Sequence, residues 1–144
     1  MATNTGVESA WKIIPALRSR DITATVKFYT EDLGFSLGGT QSDNEDDPDA
    51  RPYFCSIYTG DKAAANMYFF RCEPTEFVPG RAHIALGTAG LDDFHEFVIA
   101  RGVAKVTEPI RDMPWGYRQF TIEDVDGNHL TFFKFLEGGN PGTD

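Results

Sequence analysis

The chain has 144 residues, 41% of them hydrophobic, which suffices for one domain or for two small halves that share a core. Its 22 acidic and 13 basic side chains give a net charge of −9, which argues against nucleic-acid binding and suits a cationic or neutral small ligand better. No apolar run approaches the roughly 20 residues that cross a bilayer, and the N-terminal stretch lacks a signal-peptide pattern, so we expect a cytoplasmic protein.

The first half of the sequence predicts a strand, a helix and three further strands. The helix is expected from Ile22 to Leu33, because apolar residues recur there on one face, with Asp21 as its N-cap and Gly34 at its end. Short runs rich in Tyr, Phe, Ile and Thr between turn residues predict the strands. The strands are expected at residues 12–18, 35–39, 52–59 and 66–72.

An acidic loop, residues 41–50, lies between the second and third of these strands. Its alternating carboxylates resemble a calcium loop, but Pro48 stands where that loop needs glycine and Phe54 where it needs glutamate. We therefore predict a solvated loop, with the further hypothesis that it attracts cations to the mouth of a pocket.

After a linker at 73–81 the same order of elements repeats. A helix is expected over 91–102, with Leu91, Phe94 and Val98 inward and Gly102 at its end. The strands are expected at residues 81–88, 103–106, 115–123 and 128–135, with a hairpin turn at 124–128 in which Gly127 has a positive φ. The sequence thus predicts two βαβββ modules, at 11–72 and 82–136, with flexible termini at 1–10 and 137–144.

The two halves can be aligned. "IIPAL" at 13–17 lies over "AHIAL" at 82–86, and "NMYFFR" at 66–71 lies over "HLTFFK" at 129–134. This alignment places His83 on Ile14 and Thr131 on Tyr68. Because a single helix covers only one face of each sheet, the two modules are expected to pack or curl around a shared cleft, the natural site for a ligand.

Two longer motifs carry a resemblance to a known family. "IPALRSRDITATVKFYTEDLGFSLG" and "PWGYRQFTIEDVDGNHLTFFKF" are similar to segments of the glyoxalase, bleomycin-resistance and extradiol-dioxygenase superfamily, also called the vicinal oxygen chelate superfamily. The resemblance runs from about Trp11 to Phe135. It implies an α+β fold of two tandem βαβββ modules whose curled mixed sheets enclose a shared pocket, in many members across a homodimer.

The resemblance also raises the question of a metal. Metal-dependent members carry His or Glu at four positions, which correspond here to Ile14, Tyr68, His83 and Thr131. Only His83 is a good donor, and one imidazole does not hold a divalent ion tightly. An unorthodox site of His83, His129 and Tyr68 would need a shift in strand register. We therefore expect no metal and no cofactor, with His83 as a polar residue of the pocket.

The last strand of each module supplies most of the predicted ligand-binding residues. If Tyr68 and Thr131 face inward, as the resemblance implies, alternation places Phe70, His129 and Phe133 on the same faces. The other candidates are Trp115 and Arg118 at the rim and in the opposite strand, together with His83. Aromatic planes with a few polar groups suit a planar heteroaromatic or cationic ligand, whereas the alternative is that these rings fill the core. No catalytic residue is predicted.

Cys55 and Cys72 do not suggest a disulfide framework in a domain of this size. Unpaired cysteine is among the most buried residue types, so two buried free thiols are expected. Both cysteines lie in strands that could pair, which leaves a bridge open as an alternative.

These observations favour a metal-independent binding protein that resembles the bleomycin-resistance branch, a homodimer that sequesters an aromatic, cationic or neutral small molecule and so confers antibiotic resistance. The first alternative is a metal-dependent lyase, isomerase or dioxygenase of the same superfamily with a degenerate metal site. The second is an interaction module with a vestigial pocket. The sequence alone does not name the ligand, because one scaffold serves unrelated chemistries.

Overall fold

The computed structural model describes residues 6–140, which form two four-stranded mixed sheets with one helix each. The strand order is β1-β4-β3-β2 in the first sheet and β5-β8-β7-β6 in the second, and neither sheet closes into a barrel. In each sheet the first strand of the module, β1 or β5, lies at one edge and pairs in parallel with the last strand of the module. The predicted α+β fold of two βαβββ modules is confirmed.

The first module follows the predicted order of elements. Its elements are β1 (Ala16–Ser19), α1 (Ile22–Lys27, continued by a wider turn over Phe28–Asp32), β2 (Ser36–Ser42), β3 (Pro52–Thr59) and β4 (Ala65–Arg71). The Asp21 carboxylate caps α1 by accepting from the backbone N–H of Ala24, and Gly34 follows the helix with φ +83°. β1 begins at Ala16 rather than at Lys12, and Pro15, which has no N–H to donate, directly precedes it.

The second module repeats this arrangement. Its elements are β5 (Arg81–Ala85), α2 (Gly90–Arg101), β6 (Lys105–Asp112), β7 (Tyr117–Glu123) and β8 (His129–Phe135). Gly102 ends α2 at φ +66° and Gly127 turns the β7–β8 hairpin at φ +104°, as predicted. β6 extends to Asp112, beyond the predicted end at Val106. Its pairing with β7 continues past Pro109 through an irregularity between Glu108 and Arg111.

One hydrophobic core spans both modules on the helix-covered side of the sheets. It is built from alternate strand residues and the inward faces of α1 and α2. Its largest fully buried side chains are Tyr29, Phe69, Phe120 and Phe132. The Phe35 ring of the first module lies 6.5 Å from the Phe132 ring of the second, so the two halves share their core.

The outer strands β1 and β5 face each other along a seam between the sheets. At one end Leu17 packs against Gly80, and the buried Asn128 side chain bridges the gap. Its amide donates to the Arg18 carbonyl at 2.9 Å, while its oxygen accepts from the Gly80 N–H at 2.8 Å. At the other end, Ile13 and residues 82–85 line one cavity of about 290 Å³. The two strands therefore run antiparallel along the seam.

The structure describes the two ends of the chain only in part. The predicted flexible segments 1–10 and 137–144 fall in part outside the described residues. Within 6–140, no helix is long and apolar enough to cross a membrane. The cytoplasmic location stays a prediction.

Candidate functional site

In the part of the chain that the structure describes, each sheet has one face that no helix covers, and we call these two surfaces together the open face. On β8 the buried residues Leu130 and Phe132 point toward the helices. His129, Thr131 and Phe133 alternate with them and lie on the open face. The open face therefore carries three of the residues that the sequence predicted for the site.

A first aromatic cluster lies on the open face of the first sheet and consists of Phe54, Tyr68 and Phe70. The Phe54 ring lies 5.1 Å from the Tyr68 ring and 5.2 Å from the Phe70 ring. Phe70 is 44% exposed and Tyr68 is half-buried. Tyr68 and Phe70, the two members of this cluster that the sequence predicted, both lie outside the helix-covered core.

A second aromatic cluster lies on the open face of the second sheet and consists of Tyr117, Phe133 and Phe135. Tyr117 stacks on Phe133 with 4.8 Å between ring centroids and 18° between planes. Phe135 meets both rings edge-on at 5.3 and 5.8 Å. The His83 ring, 6.3 Å from Phe133, extends this cluster toward β5. Flat rings with exposed edges can hold a planar aromatic molecule.

A polar band adjoins the second aromatic cluster. Thr131 is buried and shares a 2.8 Å hydrogen bond with the Thr121 hydroxyl, while its register partner His83 is exposed. Two residues further along β8, the His129 Nε2 lies 3.9 Å from a carboxylate oxygen of Glu123. The open face thus changes from aromatic to ionic along the direction of the strands.

The strand register corrects the predicted alignment of the two halves. β5 pairs His83 with Thr131, whereas β1 pairs Ala16, and not Ile14, with Tyr68. If Tyr68 and Thr131 are counterparts, the counterpart of His83 is therefore Ala16. Since Ala16 also has no donor atom in its side chain, the number of metal-binding groups does not change.

The residues present do not fit a divalent metal ion. Beside His83 stand a threonine hydroxyl that is already hydrogen-bonded, an alanine and a neutral phenol. The alternative set with His129 required a register shift, but β5 pairs His129 with Arg81. Within residues 6–140, no group of three or more His, Cys, Asp or Glu side chains converges on a point.

The structure separates Arg118 from the other predicted site residues. Its guanidinium lies on the helix-covered side, where it donates to Asp92 at 3.0 and 3.1 Å and to Asp112 at 3.1 Å. Trp115 is 58% exposed in the turn before β7, at the end of the strand that carries Tyr117. Trp115 therefore precedes the strand that carries Tyr117 of the second aromatic cluster, and Arg118 lies on the opposite side of the sheet from that cluster.

Several residues of the open face were missed at the sequence level, among them Phe135, which follows the predicted Phe133 by two residues. Phe54 pairs with Phe70, Tyr117 stacks on Phe133, and Arg81 pairs with His129. Alternation would have indicated Arg81, two residues before His83, whereas Tyr117 is identified by its pairing with Phe135 across β7 and β8. Phe54 becomes visible only once the β3–β4 register is known.

Side chains of the acidic loop accept hydrogen bonds from backbone N–H groups of the same loop. Glu45 accepts from the backbone N–H of Ser42, and Asp47 accepts from that of Asp49. Asn44 does the same for Asp46, and nearly all of residues 41–50 are exposed. These local turns support the predicted solvated loop.

Comparison with known proteins gives consistent matches over most of the chain. The model of the Glyoxalase/Bleomycin resistance protein/Dioxygenase superfamily matches residues 14–132. A bleomycin resistance protein from Geobacillus stearothermophilus is 25% identical over 131 residues, which cover 86% of this chain and 96% of that protein. The same values hold for a bleomycin resistance protein from Staphylococcus aureus.

Two solved structures share the fold. One is a bleomycin-binding protein from bleomycin-producing Streptomyces verticillus complexed with copper(II)-bleomycin, with a TM-score of 0.66, 24% identity and coverage of 86% of this chain and 95% of that chain. The other is a glyoxalase-related enzyme from Clostridium phytofermentans, with a TM-score of 0.69, 23% identity and coverage of 88% and 95%. At these identities the likeness establishes the architecture and not the activity.

Proposed function

Because the chain belongs to the Glyoxalase/Bleomycin resistance protein/Dioxygenase superfamily, matched over residues 14–132, we propose that it is a metal-independent protein that binds and sequesters an aromatic small molecule on its open face. The observation that carries this proposal is the pair of aromatic clusters that no helix covers. Rings left at a surface are favourable partners for a ligand that stacks on them. Similarity to bleomycin resistance proteins supports an antibiotic as one such ligand.

The donor set on the open face supports metal independence. A tightly held divalent ion needs three or more good ligands, and the counterparts of His83 supply none. We therefore propose that His83 contacts the ligand rather than a metal ion.

We also propose that the protein works as a homodimer. Phe70, Trp115 and Phe135 leave 44%, 58% and 38% of their surface exposed, an extent that a second copy over the open face would reduce. The resemblance implies such an arrangement, in which the pocket forms between subunits. Light scattering after gel filtration would give a mass near twice that of the chain, and a monomer at all concentrations would contradict it.

The charge of the ligand is a separate matter from its aromatic character. The net charge of −9 favours a cation at long range. On the open face of the second sheet, however, the register places Arg81, Lys105 and Arg111 against only Glu108 and Glu123. The proposed ligand is therefore aromatic, and the net charge of the chain does not make it a cation.

Calorimetric titration with a panel of planar aromatic compounds, neutral, cationic and anionic, together with bleomycin-type glycopeptides, tests the proposal. We expect at least one to bind, and Phe133→Ala or Tyr68→Ala to weaken it by about fivefold or more, the scale of a lost stacking contact. Phe97→Ala is the matched control, since Phe97 is a 39% exposed ring on α2. Binding by no compound, or equal loss in the control, would contradict the proposal.

A further inference from the structure

Arg81 is a charged residue of the open face without a charged partner. It is the first residue of β5, and the exposed positions of that strand, Arg81, His83 and Ala85, alternate with buried Ala82 and Ile84. In the part of the chain that the structure describes, its guanidinium makes no ion pair and no hydrogen bond. A free guanidinium on a surface that holds a ligand is available to an anion.

The neighbouring carboxylate does not compensate this charge. Glu123 is the nearest acidic residue in the same cross-strand row, where β8 places His129 between it and Arg81. One of its oxygens already lies 3.8 Å from the Lys105 ammonium, and the other lies 3.9 Å from His129. The charges of Lys105 and Glu123 cancel, so the remaining charge of the row is the positive charge of Arg81.

Other arginines near the open face are less suitable. Arg18, on the first sheet, is engaged by the Glu76 carbonyl at 2.7 Å. Among residues 6–140 Arg111 finds no ion-pair partner, but it lies on β6, the outer strand farthest from the seam. Arg81 alone lies both free and central, on the strand that borders the first sheet.

The seam places Arg81 close to the first aromatic cluster. Because β1 and β5 run antiparallel with Leu17 beside Gly80, the next residues along them, Ala16 and Arg81, lie opposite each other. Ala16 pairs in turn with Tyr68 on β4. Ala16 thus lies between Arg81 and Tyr68 on the open face, and its small side chain leaves the space between them open.

From this arrangement we infer that the ligand of the open face carries an anionic group, a carboxylate, which Arg81 binds while the aromatic part packs on Tyr68 and Phe70. The planar fork of a guanidinium matches the two oxygens of a carboxylate. This inference rests on the proposed function and adds the chemical class of the ligand, an aromatic carboxylic acid. It differs from the cationic ligand that the net charge favours.

The overall acidity does not prevent this. The charges that make up the net −9 are spread over the chain, with five carboxylates in the exposed loop 41–50. At physiological salt, interactions between exposed charges fade beyond about 8 Å. The pocket beside Phe70 is lined by two arginines and two glutamates, whose charges cancel, so the unpaired charge that an acid meets on the open face is that of Arg81.

The test compares three matched probes by calorimetry: 2-naphthylacetate, its uncharged amide, and 2-(2-naphthyl)ethylamine. We expect the acid to bind about fivefold or more tightly than the amide, and the amine most weakly. Arg81→Gln should remove the advantage of the acid and leave the affinity for the amide unchanged. Arg111→Gln, the same change on the same sheet, should keep the advantage, and added salt should reduce it in the wild-type protein.

The outcomes separate the two proposals. If the probes bind with no preference for the acid, or if Arg81→Gln leaves the preference intact, the inference about the acid is overturned while binding of aromatic compounds stands. Tighter binding of the amine overturns it in favour of a cationic ligand. If none of the three probes and no compound of the wider panel binds, the proposed function itself fails.

Discussion

The Tyr29 hydroxyl donates a 2.7 Å hydrogen bond to the Asp124 carboxylate, which joins the helix of the first module to the β7–β8 turn of the second. Both side chains are buried, and burial raises the pKa of each above its ordinary value. For Asp124, hydrogen bonds from Tyr29 and Asn128 oppose that rise in pKa. The other carboxylate oxygen accepts from the backbone N–H groups of residues 126, 127 and 128. This contact fixes the two modules relative to each other.

Removing that hydroxyl should destabilise the protein measurably. Tyr29→Phe leaves the buried Asp124 with one donor fewer, so we expect the free energy of unfolding to fall by about 1–3 kcal/mol in urea titrations. Tyr53→Phe is the matched control, because its hydroxyl bonds Gln41 at an exposed site, and it should change stability by less than about 0.5 kcal/mol. Equal effects of the two changes would show that Tyr29 does not join the modules in this way.

The seam should not tolerate a methyl group at Gly80. An added Cβ there would overlap Cδ2 of Leu17, which is 5% exposed and has little room to move. We expect Gly80→Ala to cost about 1–3 kcal/mol, and Leu17→Val in the same chain to recover part of it, as a double-mutant cycle would show. Gly90→Ala, where no atom lies within 4 Å of the added Cβ, is the control and should be neutral or stabilising. Additive effects of the two seam substitutions would refute the close contact.

The two cysteines should react very differently with a thiol reagent. Cys55 is fully buried on the helix-covered side, and burial raises its pKa to about 12. Cys72, predicted to be buried, is only half-buried, and it follows β4 in phase with Tyr68 and Phe70 on the other side of the sheet. The two thiols are free, so the alternative bridge is not formed. We expect one fast-reacting thiol in the native protein, lost in Cys72→Ser, and a second only in denaturant. Rapid modification of both would contradict this.

The Arg118–Asp92 pair should contribute stability that depends on pH. The hydrogen bond from Arg118 is the main cause that lowers the pKa of Asp92 below its ordinary value of 3.8. Its contribution is thus present above that value and is lost as the pH falls through the lowered pKa. Since both groups are partly exposed, Arg118→Gln should cost about 0.2–1 kcal/mol at pH 7 and less below pH 4.

Ligand binding provides the control for that substitution. Arg118 lies on the helix-covered side, so Arg118→Gln should leave the affinity for an aromatic ligand unchanged. A loss of affinity, or a stability difference that persists unchanged at acidic pH, would contradict the position assigned to this side chain.

The order of elements could be predicted because it depends on local signals. Asp21 and Gly102 mark where helices begin and end, and alternation marks the strands. The two predicted alignments, Ile14 with His83 and Tyr68 with Thr131, disagree by two residues in the strand register, and such an error keeps every side chain on its own face of the sheet. Hydrophobic pattern alone cannot detect it, so only the pairing of Ala16 with Tyr68 revealed it.

Part of the candidate site could also be predicted, because alternation along a strand is a local signal. Tyr68, Phe70 and Phe133 follow from alternation with buried neighbours, as does the open-face position of Thr131. Arg118 is in phase with the core residue Phe120 and so lies on the helix-covered side, where its partner Asp92 comes from a helix 26 residues away in the sequence. The free charge of Arg81 depends on which groups lie around it after folding, which no local pattern contains.

The most direct test of metal-independent binding is a titration of the preferred aromatic ligand into chelator-treated protein, repeated after addition of zinc, manganese or iron(II). We expect the same affinity and stoichiometry in every case, because the open face holds only one good metal donor at the superfamily positions, His83. Binding that appears only after a metal is added would contradict it, and would favour the metal-dependent enzyme as the function of this chain.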